Sequence, residues 1–272
     1  MVKKLLSIMF LFLLGSVIII GCKSGENVDD DDLSGETLDT VDIREEIIVS
    51  MLAPSDMAVM LIDNPDLYFN KDIINSTSNS DKYNTNVKIA LNIGIYTADL
   101  SYASLFEQEQ ITYDYLDVVK GMSEEIGITN SIEKRHLDMI KNSKLDKDEM
   151  IKIINESFMN TDAYLRENNR QKIITMILIG GWVEAQHIAV SLSKGSPNTN
   201  EQLTESILAQ KVSLELMTMA LENVQNDNTL SELKKDIDKI YEAYILMENE
   251  LTDENFKNFC DLISEVRKNY VV

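Results

Sequence analysis

The sequence predicts an all-α protein, a single helical domain of about eight antiparallel helices behind a disordered N-terminal tether. Three observations lead there. Helix breakers are scarce, with three prolines and ten glycines in 272 residues. From about residue 44 onward apolar residues recur at spacings of three and four, which lays a continuous stripe along an α-helix. No stretch alternates apolar and polar residues as a half-buried strand does.

The N-terminus is read first. Lys3 and Lys4 lead an apolar run from 5 to 20, broken only by Ser7, Gly15 and Ser16, that ends in Ile19-Ile20-Gly21-Cys22. A positive start, a short apolar core and a small residue before the cut are the order of a secretory signal. The run is too short and wrongly flanked for a stable spanning helix. Ile19-Ile20-Gly21-Cys22 resembles the lipobox of bacterial lipoproteins. The resemblance implies a diacylglyceryl thioether on Cys22, cleavage before it, and N-acylation with a fatty acid such as palmitate. Two or three acyl chains anchor firmly, since each buried CH₂ contributes about 0.8 kcal/mol. The expected organisation is a signal peptide over 1 to 21, an acidic flexible tether over 22 to 40 and an all-α domain over 41 to 272. The alternative is an uncleaved anchor helix, against which stands the run's end at a cysteine and not at a basic stop.

The tether carries Glu26 and the acidic run 29 to 32 and has almost nothing to bury, so it is expected to be disordered. Its acids resemble the export signals that follow the lipidated cysteine in Bacteroidota lipoproteins. That favours an outer-membrane protein at the cell surface over one at the periplasmic face.

Within the domain the spacing predicts short helices near 44 to 52 and 55 to 63, then a polar loop over 75 to 86. Longer helices are predicted at 86 to 106, 109 to 126, 130 to 142, 147 to 168, 170 to 193, 200 to 225, 229 to 249 and 253 to 269. Asp146 and Thr252 stand where N-caps belong, each with an acid in the next turn. The clearest interior turn is Lys194-Gly195-Ser196-Pro197-Asn198.

Charge and cysteine content narrow the chemistry. The formal net charge is −21, and loss of Lys3 and Lys4 with the signal makes it more negative still. Such a surface repels phosphate backbones, so nucleic acid is not an expected partner. With Cys22 lipidated, Cys260 has no intramolecular partner and reads as a small core residue beside Phe256 and Phe259. No phosphate-binding glycine loop, Cys-x-x-Cys pair or nucleophile elbow occurs.

Two helices stand apart. The helix from 86 is apolar nearly all round, and the helix from 170 carries Gly180-Gly181 in its middle. That pair costs roughly 1 kcal/mol per glycine relative to alanine, a cost a helix carries where another backbone comes close. Each helix holds an acid in apolar surroundings, Asp99 and Glu184, and a buried carboxylate needs a partner or a proton. Tyr96 and Tyr102 flank Asp99 one turn either way, offering hydroxyl donors. One reading makes these acids anchors of helix register. The other makes a small interhelical ligand pocket from Asp99, Tyr102, Asp162, Trp182 and Glu184, for a small molecule, a glycan or an envelope protein.

The segments Asn92-Ile93-Gly94-Ile95-Tyr96-Thr97-Ala98-Asp99-Leu100-Ser101-Tyr102-Ala103, Glu107-Gln108-Glu109-Gln110 and Ile179-Gly180-Gly181-Trp182-Val183-Glu184-Ala185 resemble an uncharacterised family of all-helical lipoproteins from Bacteroidota. The resemblance runs from about Ser50 to Ser193. It implies the lipid and the helical fold, and it supplies no catalytic residue.

A rival reading uses the two histidines. Both close a Glu-x-x-His, in Glu133-Lys134-Arg135-His136 and Glu184-Ala185-Gln186-His187. Two such pairs with two further carboxylates make a di-iron or di-manganese site of the ferritin-like kind. Asp99 or Glu107, with Glu156, would complete it. Against it, 133 to 135 is a charged run, and an acid three residues before a histidine is a common accident in so acidic a chain. The expectation is therefore a binding or interaction module without cofactor or catalytic residue, with the di-metal protein as the alternative.

Overall fold

Gly94 and Gly180 decide how the helices meet. A Cβ on Gly94 would lie 2.0 Å from the carbonyl oxygen of Ile177, and one on Gly180 would lie 2.0 Å from that of Leu91. The contact is reciprocal, each glycine receiving the carbonyl three residues before the other. Apolar character on almost every side of both helices follows from that position, because each is surrounded by protein.

A computed structural model describes residue 64 and residues 66–128, 147–222 and 227–271. They belong to one compact unit, Thr37–Val272. The expected lipobox, tether, short helices at 44 to 52 and 55 to 63, helix at 130 to 142 and Asp146 cap lie outside the described residues.

Among the described residues there are eight α-helices and no strand, so the protein is all-α. We number them α1 (Asn86–Leu105), α2 (Glu109–Glu125), α3 (Lys147–Glu167), α4 (Gln171–Leu192), α5 (Glu201–Ala209), α6 (Lys211–Ala220), α7 (Asn228–Asn249) and α8 (Asp253–Val271). α1 and α4 form the centre, flanked by α2, α3 and α8, while α7 packs on α6 and α8. By length and composition α4 would cross a membrane, but 78% of its apolar window is buried inside the protein, which makes it a core helix.

Local chemistry sets the ends. Thr85, Asn200 and Asp227 cap α1, α5 and α7 by accepting backbone N–H bonds. Thr252 caps α8 through a 3.1 Å bond from the Asn255 amide, as its position predicts. α2 ends where Gly127 turns left-handed (φ +68°), letting the Ile128 amide reach the Ser123 carbonyl at 2.9 Å.

Two elements differ from expectation. The helix predicted over 200 to 225 is two helices meeting at Gln210. The Tyr244 hydroxyl takes the Leu208 carbonyl, a group that a continuous helix would have used itself. The polar stretch 75 to 86 is not simply a loop. Thr77–Lys82 winds into a 3₁₀ helix, with Ser76 Oγ accepting from the Ser78 amide.

The crossing can be tested by graded glycine substitution. Gly94→Ala and Gly180→Ala should each destabilise by roughly 2–4 kcal/mol in denaturant titration, since backbone on both sides must move. Gly121→Ala, with nothing within 4 Å of the added carbon, should stabilise by roughly 0.5–1 kcal/mol.

Candidate functional site

Beyond the glycines each helix carries its acid, Asp99 five residues after Gly94 and Glu184 four after Gly180. The two acids lie near each other beyond the crossing. Both are 0% exposed, and the two carboxyl groups lie close enough for each to feel the other's charge.

Neutralisation comes from α8. Arg267 Nε donates to Glu184 Oε2 at 2.8 Å and its Nη2 to Oε1 at 2.9 Å. A two-pronged guanidinium–carboxylate pair of this kind is strong and fixes orientation. Burial works against the charge on Arg267, but the Glu184 carboxylate outweighs it and holds the guanidinium pKa above its usual value. Asp99 is pushed well above the ordinary carboxyl range, first by burial and then by the neighbouring Glu184 charge.

Asn75 closes the cluster from the chain before the 3₁₀ helix. Its backbone N–H donates to Asp99 Oδ2 at 3.0 Å, and its side-chain amide donates to the Tyr83 hydroxyl at 3.0 Å and Asn92 Oδ1 at 3.3 Å. Its carbonyl accepts from the Tyr115 hydroxyl at 2.7 Å. Asn92, two turns before Asp99 on α1, donates to the Tyr270 carbonyl at 2.9 Å and so ties the end of α8 to the centre. The hydroxyls of Tyr96 and Tyr115 are raised out of their ordinary range by burial, so they stay protonated donors.

The five pocket residues do not act as one group. Asp99 and Glu184 meet. Tyr102 reaches away, its hydroxyl accepting from the Asn70 amide at 3.0 Å while its ring stacks on Phe69. Asp162 pairs with Arg166 on its own helix. Trp182 is buried, and its indole N–H meets no acceptor among the described residues. The donors expected beside Asp99 also differ, for Tyr96 donates to the Ser76 carbonyl at 2.8 Å. A tyrosine hydroxyl lies too far from its own backbone to bend back onto a short acid one turn away.

A cavity of about 60 Å³ does lie between α1, α2, α3 and α4, lined by Thr97, Leu116, Ser123, Phe158 and Ile177 among others. None of the five predicted residues lines it.

Of the histidine pairs, Glu133 and His136 lie outside the described residues. Glu184 gives both oxygens to Arg267, and the pKa of His187 is lowered by burial, which keeps its ring neutral. Glu107 sits in the left-handed turn (φ 55°) between α1 and α2. Glu156 lies on α3, where Lys152 pairs with it. Among the described residues no group of three or more His, Cys, Asp or Glu could hold a metal ion. Cys260 is a buried free thiol whose pKa burial pushes up to about 11, as befits a core residue.

Arg267 and Asn75 were not foreseen. Arg267 had a signal, because Phe256, Cys260, Ile263, Arg267 and Tyr270 fall at spacings of four, three, four and three along the buried stripe of α8. A cation in that stripe requires a buried anion. Asn75 had none, since it sits in a run of small polar residues that reads as loop.

Comparison with family models, with curated proteins and with solved structures returned no match.

Removing the cation strands a buried anion. Arg267→Met should lower stability by roughly 3–5 kcal/mol, and adding Glu184→Met should restore much of it. Chemical denaturation of both variants and of Glu184→Met alone completes the cycle; additive losses would mean the two side chains are not coupled.

Proposed function

We propose that this chain is a lipid-anchored lipoprotein of the bacterial cell envelope whose helical domain is a non-catalytic binding or interaction module. The observation that carries the anchor is Cys22 at the end of a lysine-led apolar run, preceded by Gly21. The acyl groups on Cys22 hold the chain to the outer membrane, with the acidic stretch after them favouring the outer face. The domain then works at its surface. Its central acids are wholly buried and engaged with Arg267 and Asn75, which suits a rigid scaffold better than a site that must admit substrate. Exposed Val212 and Met219 on α6, with Leu246 and Leu251 around the end of α7, offer apolar contact area to an envelope partner.

Cells grown with labelled palmitate test the anchor. The unaltered chain should carry label and fractionate with the outer membrane, while Cys22→Ala should lose the label and accumulate uncut. Mass spectrometry finding residue 22 as a free thiol in an uncut chain would contradict the reading. Stoichiometric iron or manganese in the purified protein, raising its melting temperature, would transfer the assignment to the di-metal alternative.

A further inference from the structure

We infer that Asp99 keeps its proton in the folded protein, beside the Glu184–Arg267 pair, and that this proton makes the stability of the domain respond to pH. The geometry points to it. Asp99 Oδ2 accepts the Asn75 amide, but Oδ1 is buried and, among the described residues, meets no donor. Its neighbour is the Glu184 carboxyl, whose two oxygens already accept from Arg267. Two ionised carboxylates side by side inside a protein, with one guanidinium bound to Glu184, leave a net negative charge in a medium that does not tolerate it. A proton on Asp99 removes that charge and supplies a donor where, among the described residues, none is present.

Among the described residues, the groups facing the pair offer no cation other than Arg267. α1 contributes Tyr96, α2 Tyr115 and the link before α1 Tyr83, all of which can donate but carry no positive charge. α4 contributes His187, which burial disfavours as a cation. α8 contributes Arg267. The cluster therefore balances as one cation, one anion and one acid.

The sign of the response follows. In the unfolded chain Asp99 ionises near its ordinary value of about 4. In the folded chain that value is raised, so above pH about 4 the native state binds more protons than the unfolded state. The contribution of Asp99 is thus fully present below the unfolded value and is lost as pH rises through the folded one. A protein facing the outside of a cell would be held more firmly in mildly acidic surroundings than in alkaline ones.

Urea unfolding of the full-length chain in detergent, at pH 5, 6, 7 and 8, tests this beside Asp99→Asn. Asparagine keeps an acceptor for the Asn75 amide and places an N–H where the proton sits. The variant should fold, and its stability should fall less steeply with pH than that of the unaltered chain, by up to about one proton. Asp236 is half-buried with its carboxyl also raised by burial, but it is common to both chains and cancels. Identical slopes would overturn the inference. Should the variant not fold, carbon-13 spectra of aspartate-labelled unaltered protein decide. The Asp99 carboxyl, identified by its contact with the Asn75 amide, should keep its protonated shift at pH values above the ordinary carboxyl range, and a titration completed inside that range would overturn the inference.

Discussion

The close crossing of α1 and α4 is the constraint on which the rest of the structure depends. Gly94 and Gly180 remove the side chains that would hold the two backbones apart, so carbonyls pack where Cβ atoms would otherwise sit. Beyond the glycine contact, the acids that follow the glycines come close to each other. From that meeting come the need for Arg267, the position of α8 that supplies it, and the fastening of residues 70 to 83 across the same face through Asn75, Tyr83 and Tyr96. A less intimate crossing would leave each acid to find its own partner.

Charge is distributed in a way that composition does not convey. The chain carries a formal net charge of −21, yet its buried acids Asp99 and Glu184 are met by a guanidinium at the centre. Exposed acids repel one another weakly in water, whereas an uncompensated charge at the centre would cost several kcal/mol. Surface pairs such as Lys257–Asp261 and Lys235–Glu232 add little, being exposed on both sides. The interior pair sets the register of α4 against α8, and its value lies in specificity as much as in energy.

Much of the fold was legible because helices announce themselves locally. The period of apolar residues, the cap at Thr252 and the glycine pair at 180 and 181 each state a local fact that the tertiary structure respects. The break at Gln210 was not legible, since its cause is Tyr244, more than thirty residues away. The site was legible by half. Asp99 and Glu184 stood out as charges in apolar helices, but which side chains would satisfy them depended on packing among five elements. Tyr102 lies one turn beyond Asp99 but faces Asn70 and Phe69, and Asp162, on α3, pairs with Arg166, so neither joins the cluster. Arg267 could have been found by asking of α8 the question asked of α1 and α4, namely which charged residue occupies the buried stripe.

An interior locked in this way favours a domain that presents a surface and does not open its centre. Native-state hydrogen exchange on the full-length chain tests that most directly. Backbone amides of residues 91–99, 177–184 and 263–270 should exchange together and last, through global unfolding alone. Faster, independent exchange of 177–184 while α1 stays protected would contradict the account, since α4 would then leave the cluster without unfolding the domain.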